Sequence, residues 1–508
     1  MKSSVSLHRV FWISLLMLPR FARIVSPDVQ IEDPNYIYGA FLLLKGMIPF
    51  ADFAQVNPPL LESLLAILYR VFGVSYRVPE FLTAIAFFLT ALLIGRLGDR
   101  FINRFAGWSA SILYSFHFLV FRYHVFEREI FATLAVFLAL DFLSRGPQSR
   151  WTPAVAGLLL GFGFACKQTV IIPFAAVVGV VGVMRWQWHR AILLVGGFGF
   201  LVGIITLGYT LAFGPMYMEQ TFWFHFIKGF VAPWFIKAQW TLAGLGYLVP
   251  LSCAGLWGLR FKRLDWNWLW PAMLMADLAF FWFVSGAFWP HYLLSTLPSA
   301  ALLSGLGLEK IRALIGNCFR DRFLKSGADS RDRIPKSSLA SLGTLTVVLL
   351  YMQVFYPGSL WGTGAANRYG FAGTPRAEVS RVAAVIQNNT RENDLIISDP
   401  FIALEAQRIK VVRFKDNWGL ILWMKRKMDA GEYREAVKLL SKQRFGDVRR
   451  RSHAYWMPLI ETAFAQGIVG AVQPNYELPL EESNLHQYGM KKAYTSSYYT
   501  IWVRKQVK

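Results

Sequence analysis

Between residues 8 and 357 the chain is a succession of apolar stretches long enough, or nearly long enough, to cross a bilayer, and this restricts the fold more than any other feature. Backbone N–H and C=O groups in hydrocarbon have no water to bond, so each such stretch must satisfy itself as a helix. Eleven candidate spans follow, roughly 8–25, 78–97, 105–121, 129–143, 152–167, 169–184, 190–213, 241–259, 267–285, 290–308 and 339–357. Residues 152–184 form one nearly unbroken apolar run. As a single helix it would be about 50 Å long, against a hydrocarbon core of about 30 Å. The run must turn, and Lys167-Gln168-Thr169 is its polar interruption, expected at a water-exposed face.

Composition agrees. Of 508 residues, 55% are hydrophobic and only 17% charged, which excludes soluble globular and disordered classes. The net charge of +22 would point to nucleic acid in a soluble protein. Here the basic residues fall mainly in short loops between apolar runs, so topology accounts for much of the excess and no nucleic-acid partner is expected. Val10–Leu18 has no small-residue cleavage site after it before Arg20, and reads as a retained first helix. Cys166, Cys253 and Cys318 lie in or beside apolar segments, which argues against a disulfide framework or a Cys-based zinc site.

Basic loops set an orientation. Lys2 and Arg9, Arg96/Arg100/Arg104, Arg145/Arg150, Arg185/Arg190, Arg260/Lys262/Arg263 and the basic segment 309–337 fall on alternate sides of successive spans, so all can be cytoplasmic together. Arg20 and Arg23 go against the trend. The external set is then 26–77, 122–128, 167–169, 214–240, 286–289 and everything after about 358. This predicts a multi-pass protein of the cytoplasmic (inner) membrane, with its N-terminus cytoplasmic.

Two parts are expected, a membrane module over 1–357 and a soluble external (periplasmic) α/β domain over 358–508. In the latter, Ala377–Gln387 and Glu432–Lys442 have helical periodicity, while Asp394–Ser398 and Ser497–Arg504 read as strands. Within the first external loop, Asp33-Pro34 opens a short juxtamembrane helix ending at Gly46, and Pro59–Phe72 forms another closed by Gly73.

Candidate chemistry clusters at the external face. Asp28, Glu32 and Asp33 lie within six residues at a lipid surface. Asp33 before Pro34 makes a good helix cap, but capping leaves the other two acids unexplained, and a carboxylate here can act as general base on an acceptor hydroxyl. Arg122-Tyr123-His124-Val125-Phe126-Glu127-Arg128-Glu129 places a second set of charges at an outer junction; its plain reading is a solvated turn of self-paired charges. Lys167 and Gln168 stand at the forced turn, where a lysine can snorkel or can bind a lipid phosphate. His291, in Trp289-Pro290-His291-Tyr292, starts the tenth span at the same face. Asp277 is a mid-span carboxyl and a functional candidate by that position alone, whereas Asp141 belongs at a cytoplasmic interface. Gly157/Gly161 and Gly199/Gly203 are spaced for close helix packing. There is no P-loop, His-Glu-x-x-His or nucleophile elbow.

These residues resemble a known family. Glu32-Asp33 after the first span, followed by Ile37-Tyr38-Gly39-Ala40, Leu44-Lys45-Gly46, Pro49-Phe50-Ala51-Asp52-Phe53 and Asn57-Pro58-Pro59-Leu60, is similar to the first external loop of GT-C glycosyltransferases. The bacterial family 39-like branch, with protein mannosyltransferases and the lipid A aminoarabinose transferase, is the nearest in pattern. Phe126-Glu127-Arg128-Glu129, Gly161 through Gln168, and Pro290-His291-Tyr292 look like recurring patterns of that group.

The resemblance implies inverting transfer of a sugar from a polyprenyl-phosphate donor to a lipid, glycan or protein acceptor. Asp33, with Glu32 beside it, would deprotonate the acceptor; Lys167, Arg122, Arg128 and His291 would hold the donor phosphate; Asp28, Tyr36, Asn57 and Gln168 would position the substrates. No cofactor is expected, and no metal. One departure stands out: the aminoarabinose transferase carries a Lys, associated with the donor phosphate, where this chain has Asn57, so the phosphate site must differ. The competing reading is a secondary transporter or lipid-linked-sugar flippase. Against it, the chain has no internal repeat and its acids gather at one surface. A non-catalytic assembly protein would leave the outer acids unexplained.

Overall fold

The computed structural model describes isolated positions between residues 10 and 29, then 35–120, 126–145, 149–184, 187–223, 234–259, 266–284, 290–324, 374–398, 400–410, 468–474, 482–496 and 499–504. A short strand β1 (Asp28–Val29) precedes helices α1 (Asn35–Leu44) and α2 (Leu60–Phe72). The apolar series follows as α3 (Arg77–Phe101), α4 (Arg104–Val120), α5 (Arg128–Ser144), α6 (Thr152–Cys166), α7 (Ile171–Val178), α8 (Trp188–Phe213), α9 (Trp234–Leu245), α10 (Leu248–Gly258), α11 (Leu269–Ala279) and α12 (Leu297–Leu324). Beyond it come β2 (Thr374–Pro375), α13 (Arg376–Asn389), β3 (Leu395–Ile397), α14 (Pro400–Glu405), β4 (Ile409–Lys410), β5 (Gly470–Pro474), α15 (Glu482–Gln487), β6 (Met490–Thr495) and β7 (Tyr499–Arg504).

Among the described residues, Arg77–Phe101, Trp188–Phe213 and Trp266–Val284 are helical stretches long and apolar enough to cross a membrane. Shorter apolar helices accompany them, including Thr152–Cys166, Gln168–Gly182 and Leu248–Gly258. The candidate spans 8–25 and 339–357, and the helix expected at Glu432–Lys442, lie largely or wholly outside the described residues. The long run breaks at its polar residues: α6 stops at Cys166, Lys167 adopts extended backbone (φ −151°, ψ 121°), and a 3-10 turn over Gln168–Val170 leads into α7. The two glycines expected to close the loop helices do so, with Gly46 and Gly73 both at φ 82°, a left-handed conformation that glycine adopts without strain.

By internal contacts the chain forms two compact units, one of Met1–Arg23, Thr83–Ile205 and Ala232–Gly370, the other of Ile24–Leu82, Thr206–Val231 and Phe371–Lys508. In the first, α12 packs against α10 and α4, and α5 against α6. A Cβ on Gly157 would lie 2.1 Å from the Leu194 carbonyl oxygen, and one on Gly197 2.1 Å from that of Ala154, so α6 and α8 meet backbone to backbone. Gly199 and Gly203, read from spacing as a packing pair, instead face open space. They lie on the other side of α8 from Gly197, since each residue turns the helix by about 100°.

The second unit joins the first external loop to the C-terminal region. Its five-stranded sheet has the order β4-β3-β5-β7-β6, with β3 parallel to β4 and β5, and β7 antiparallel to β5 and β6. The strand expected over Asp394–Ser398 is β3, and that over Ser497–Arg504 is β7. Among the contacts that tie the loop to this region are a strand pairing and a side-chain lock. β1 pairs antiparallel with β2, placing Asp28 opposite Pro375 and Val29 opposite Thr374. The buried Tyr38 hydroxyl donates to the Arg408 carbonyl at 3.3 Å and accepts from the Lys410 N–H at 2.7 Å. Burial pushes the Tyr38 hydroxyl's pKa up, with the Lys410 hydrogen bond opposing it.

Candidate functional site

In the first unit, the outset of α5 and the end of α6 come together and bring four of the predicted residues with them. Glu127 stands at the N-cap of α5 and Glu129 in its first turn, where the helix dipole favours negative charge. Lys167 follows the last residue of α6, where the dipole favours a cation. Lys167 Nζ lies 2.7 Å from Glu129 Oε1, with both side chains buried, and 4.8 Å from the Tyr292 ring centroid. His291, on the 3-10 segment Pro290–Ser295 packed against α5, places Nε2 4.0 Å from the same Glu129 oxygen. Arg128 is fully buried and donates through Nη1 to the Cys166 carbonyl at 3.5 Å, at the C-terminal end of α6.

Two expectations change here. Lys167, expected at a water-exposed face, is 6% exposed because a carboxylate from the adjacent helix receives it. The 127–129 segment, whose plain reading was a solvated turn, is buried throughout. Gln168 beside Lys167 is half-buried. Glu127, Glu129 and His291 each offer one ligand atom, all within 4.8 Å of one another. The Lys167 ammonium already holds the Glu129 oxygen, so a bound cation would have to displace it.

In the second unit the motif Pro49–Pro59 is locked by side chains. Gln220 accepts from the Gln55 N–H at 2.9 Å and donates to the Phe50 carbonyl at 3.0 Å. Gln55 in turn donates to Glu62 at 2.6 Å, and all three polar side chains are buried. Phe50 sits at φ 68°, a strained value for a residue with a Cβ, and its ring packs against Phe213 and Tyr217 with both centroid separations 5.3 Å. Asn57 is 2% exposed and its Oδ1 has no hydrogen-bond partner among the described residues. Tyr36 is buried on α1. Glu32, Asp33 and Arg122 lie outside the described residues, and of Asp28 only the backbone pairing with Pro375 is described.

Asp277 is buried on α11 and lines an internal cavity of about 20 Å³ together with Glu129, Thr133, Thr169 and Ser295. That volume admits about one water molecule and no sugar. Thr133 Oγ1 has no hydrogen-bond partner among the described residues. Sequence reasoning missed Lys237, a buried cation whose Nζ donates to the carbonyls of Phe281 (3.3 Å) and Trp282 (2.8 Å). It also missed Glu62 and Gln220, whose roles depend on partners distant in sequence.

Known proteins share this architecture. ArnT from Cupriavidus metallidurans, solved with undecaprenyl phosphate, superposes with a TM-score of 0.66 at 12% identity, over 99% of this chain and 99% of that one. The Archaeoglobus fulgidus oligosaccharyltransferase, tethered to an acceptor peptide, gives a TM-score of 0.55 at 12% identity over 91% of this chain and 69% of that one. AglB from the same organism, with an inhibitory peptide and a dolichol-phosphate, gives 0.51 at 14% over 92% and 70%. Residues 56–209 match the family described as dolichyl-phosphate-mannose-protein mannosyltransferase. No curated protein matches the chain by sequence. The chain thus shares the fold of these multi-pass membrane proteins. The match over residues 56–209 and this shared fold favour sugar transfer over the transporter reading.

Proposed function

We propose that the protein transfers a sugar, with inversion, from a polyprenyl-phosphate donor to a lipid, glycan or protein acceptor at the outer face of the cytoplasmic membrane, with the N-terminus cytoplasmic and residues 358–508 external. The observation that carries this reading is the buried Lys167–Glu129–His291 cluster beside Arg128, in a chain of glycosyltransferase fold. A phosphate leaving group needs little protonation but does need N–H donors for its developing charge. Lys167 has three such donors; Glu129 engages one side and Tyr292 another, which leaves the ammonium able to meet a phosphate oxygen. Glu127 and Glu129 cancel Arg128 and Lys167 in formal charge, so this cluster alone is no strong anion trap. In this reading Arg122 and His291 supply the remaining attraction.

Asp33, supported by Glu32, takes the acceptor proton as the acceptor oxygen forms its bond to the anomeric carbon. The bond from that carbon to the phosphate oxygen breaks on the opposite face, with the electron pair leaving on the phosphate. Asp28, Tyr36, Asn57 and Gln168 position donor and acceptor, the buried Asn57 Oδ1 being suited to accept a sugar hydroxyl. No resident metal is invoked, because Lys167 already supplies positive charge to Glu129.

The test is purified protein with radiolabelled polyprenyl-phosphate sugar. Transfer is expected from the parent, and none from folded, inserted Asp33→Asn or Lys167→Ala protein. Near-normal turnover by Asp33→Asn would remove the assigned base, and uptake of label into sealed vesicles without product would remove the enzyme reading.

A further inference from the structure

Asp141, near the C-terminal end of α5, is fully buried. Three arginines surround it. Arg145 donates through Nε (3.0 Å) and Nη2 (2.5 Å) to Oδ2. Arg96 Nη2 is 3.4 Å from Oδ2 and Arg100 Nη1 3.6 Å from Oδ1. Arg100 also donates to the Asp141 carbonyl at 3.4 Å and to Ser144 Oγ, so part of its role is to close the helix end. The three arginine side chains are 26–37% exposed, whereas the carboxylate is 1% exposed.

Closing a helix end does not use up this charge. Three guanidinium groups face one carboxylate, and even counting Asp99, whose carboxylate lies against Gly107 at the start of α4, one positive charge remains. Each guanidinium carries five N–H donors in a planar fork suited to phosphate. The buried Arg96 Nε has no hydrogen-bond partner among the described residues. Glu129 and Asp141 are twelve positions apart on α5, so the arginines lie about 18 Å along the helix from the Glu129 cluster.

We infer that Arg96, Arg100 and Arg145, organised around Asp141, form a binding site for the phosphate of an anionic membrane lipid. Asp141 holds the three forks together near the C-terminal ends of α3 and α5. The lipid phosphate takes the remaining donors while its acyl chains stay in the surrounding bilayer. A basic pocket between membrane helices at their ends is the setting in which such headgroups are recognised. A soluble phosphate has the same oxygen chemistry, and the bilayer favours the lipid because it supplies headgroups at that depth.

The experiment is native mass spectrometry of the full-length protein released from nanodiscs containing phosphatidylglycerol and phosphatidylcholine. The parent is expected to retain phosphatidylglycerol preferentially. Arg96→Gln and Arg100→Gln should each lower that retention on the order of fivefold, from about 1 kcal/mol per basic residue, while melting as the parent does. Arg145→Gln is not used, because it would remove both guanidinium hydrogen bonds to Asp141 Oδ2. Unchanged phosphatidylglycerol retention in the Arg96→Gln/Arg100→Gln protein overturns the site. A parent without preference between the two lipids overturns it independently of any variant. Millimolar inorganic phosphate bound by delipidated parent, without lipid preference, assigns the arginines to soluble phosphate and also overturns the lipid reading. None of these measurements depends on sugar transfer.

Discussion

Removing one partner of the Lys167–Glu129 pair should destabilise the protein far more than removing both. The charges are 2.7 Å apart and both side chains are nearly inaccessible. At an effective dielectric constant near 20 their attraction is about 6 kcal/mol, and most of it offsets the desolvation of two buried ions. Glu129→Gln leaves a buried ammonium facing an amide; Lys167→Met leaves a buried carboxylate with His291 at 4.0 Å in place of a cation at 2.7 Å. Each should cost about 3–5 kcal/mol, whereas the double substitution, which buries no uncompensated charge, should fall within about 2 kcal/mol of the parent. Unfolding of all four proteins in matched detergent, read as a double-mutant cycle, measures the coupling directly. The double variant should fold and yet fail to transfer sugar, since the cation is gone. Additive losses would show that the ion pair is not a buried unit and would remove the basis for placing Lys167 in a water-excluded site.

Gln220→Leu should destabilise the first loop by roughly 1–3 kcal/mol for each buried group left unpaired, here the Gln55 N–H and the Phe50 carbonyl; hydrogen exchange at Gln55 that matches the parent's would contradict this. Tyr38→Phe deprives the Lys410 N–H of its acceptor at a cost of about 1–3 kcal/mol. Because burial raises the Tyr38 pKa above its ordinary 10.0, the folded state favours the neutral phenol. That contribution is complete below pH 10 and is lost at higher pH as the unfolded chain ionises first, so Tyr38→Phe should flatten the alkaline limb of a pH–melting curve. Exhaustive treatment with a chelator should leave transfer unchanged; a loss restored by one divalent ion would replace Lys167 with a metal at Glu129.

Features set by local chemistry were legible in the sequence. A long apolar run cannot cross a bilayer unbroken, so the turn at Lys167-Gln168-Thr169 followed from length and polarity alone. Gly46 and Gly73 ended α1 and α2 because a left-handed residue is needed there. The site was legible only as a set of residue types on one face. That Glu129, rather than water, receives the Lys167 charge depends on how α5 packs on α6, and no spacing within either helix encodes it. The ion-pair shell of Asp141 was illegible for the same reason, since its arginines arrive from α3 as well as from the end of α5. Gln220 reaches back 165 positions to Gln55, and its sequence neighbourhood gives no sign of this. The glycine error on α8 was one of phase: the spacing was right, but Gly197 occupies the face that meets α6.

The pairing of β1 with β2 and the grip of Tyr38 on the edge strand limit how this protein can be re-engineered. A chimaera that borrows only the tail of a relative would inherit mismatched strand partners for Asp28 and Val29 and the wrong lock for the Tyr38 hydroxyl. The exchangeable cassette is therefore discontinuous, with residues 24–82 and 206–231 travelling alongside residues 371–508.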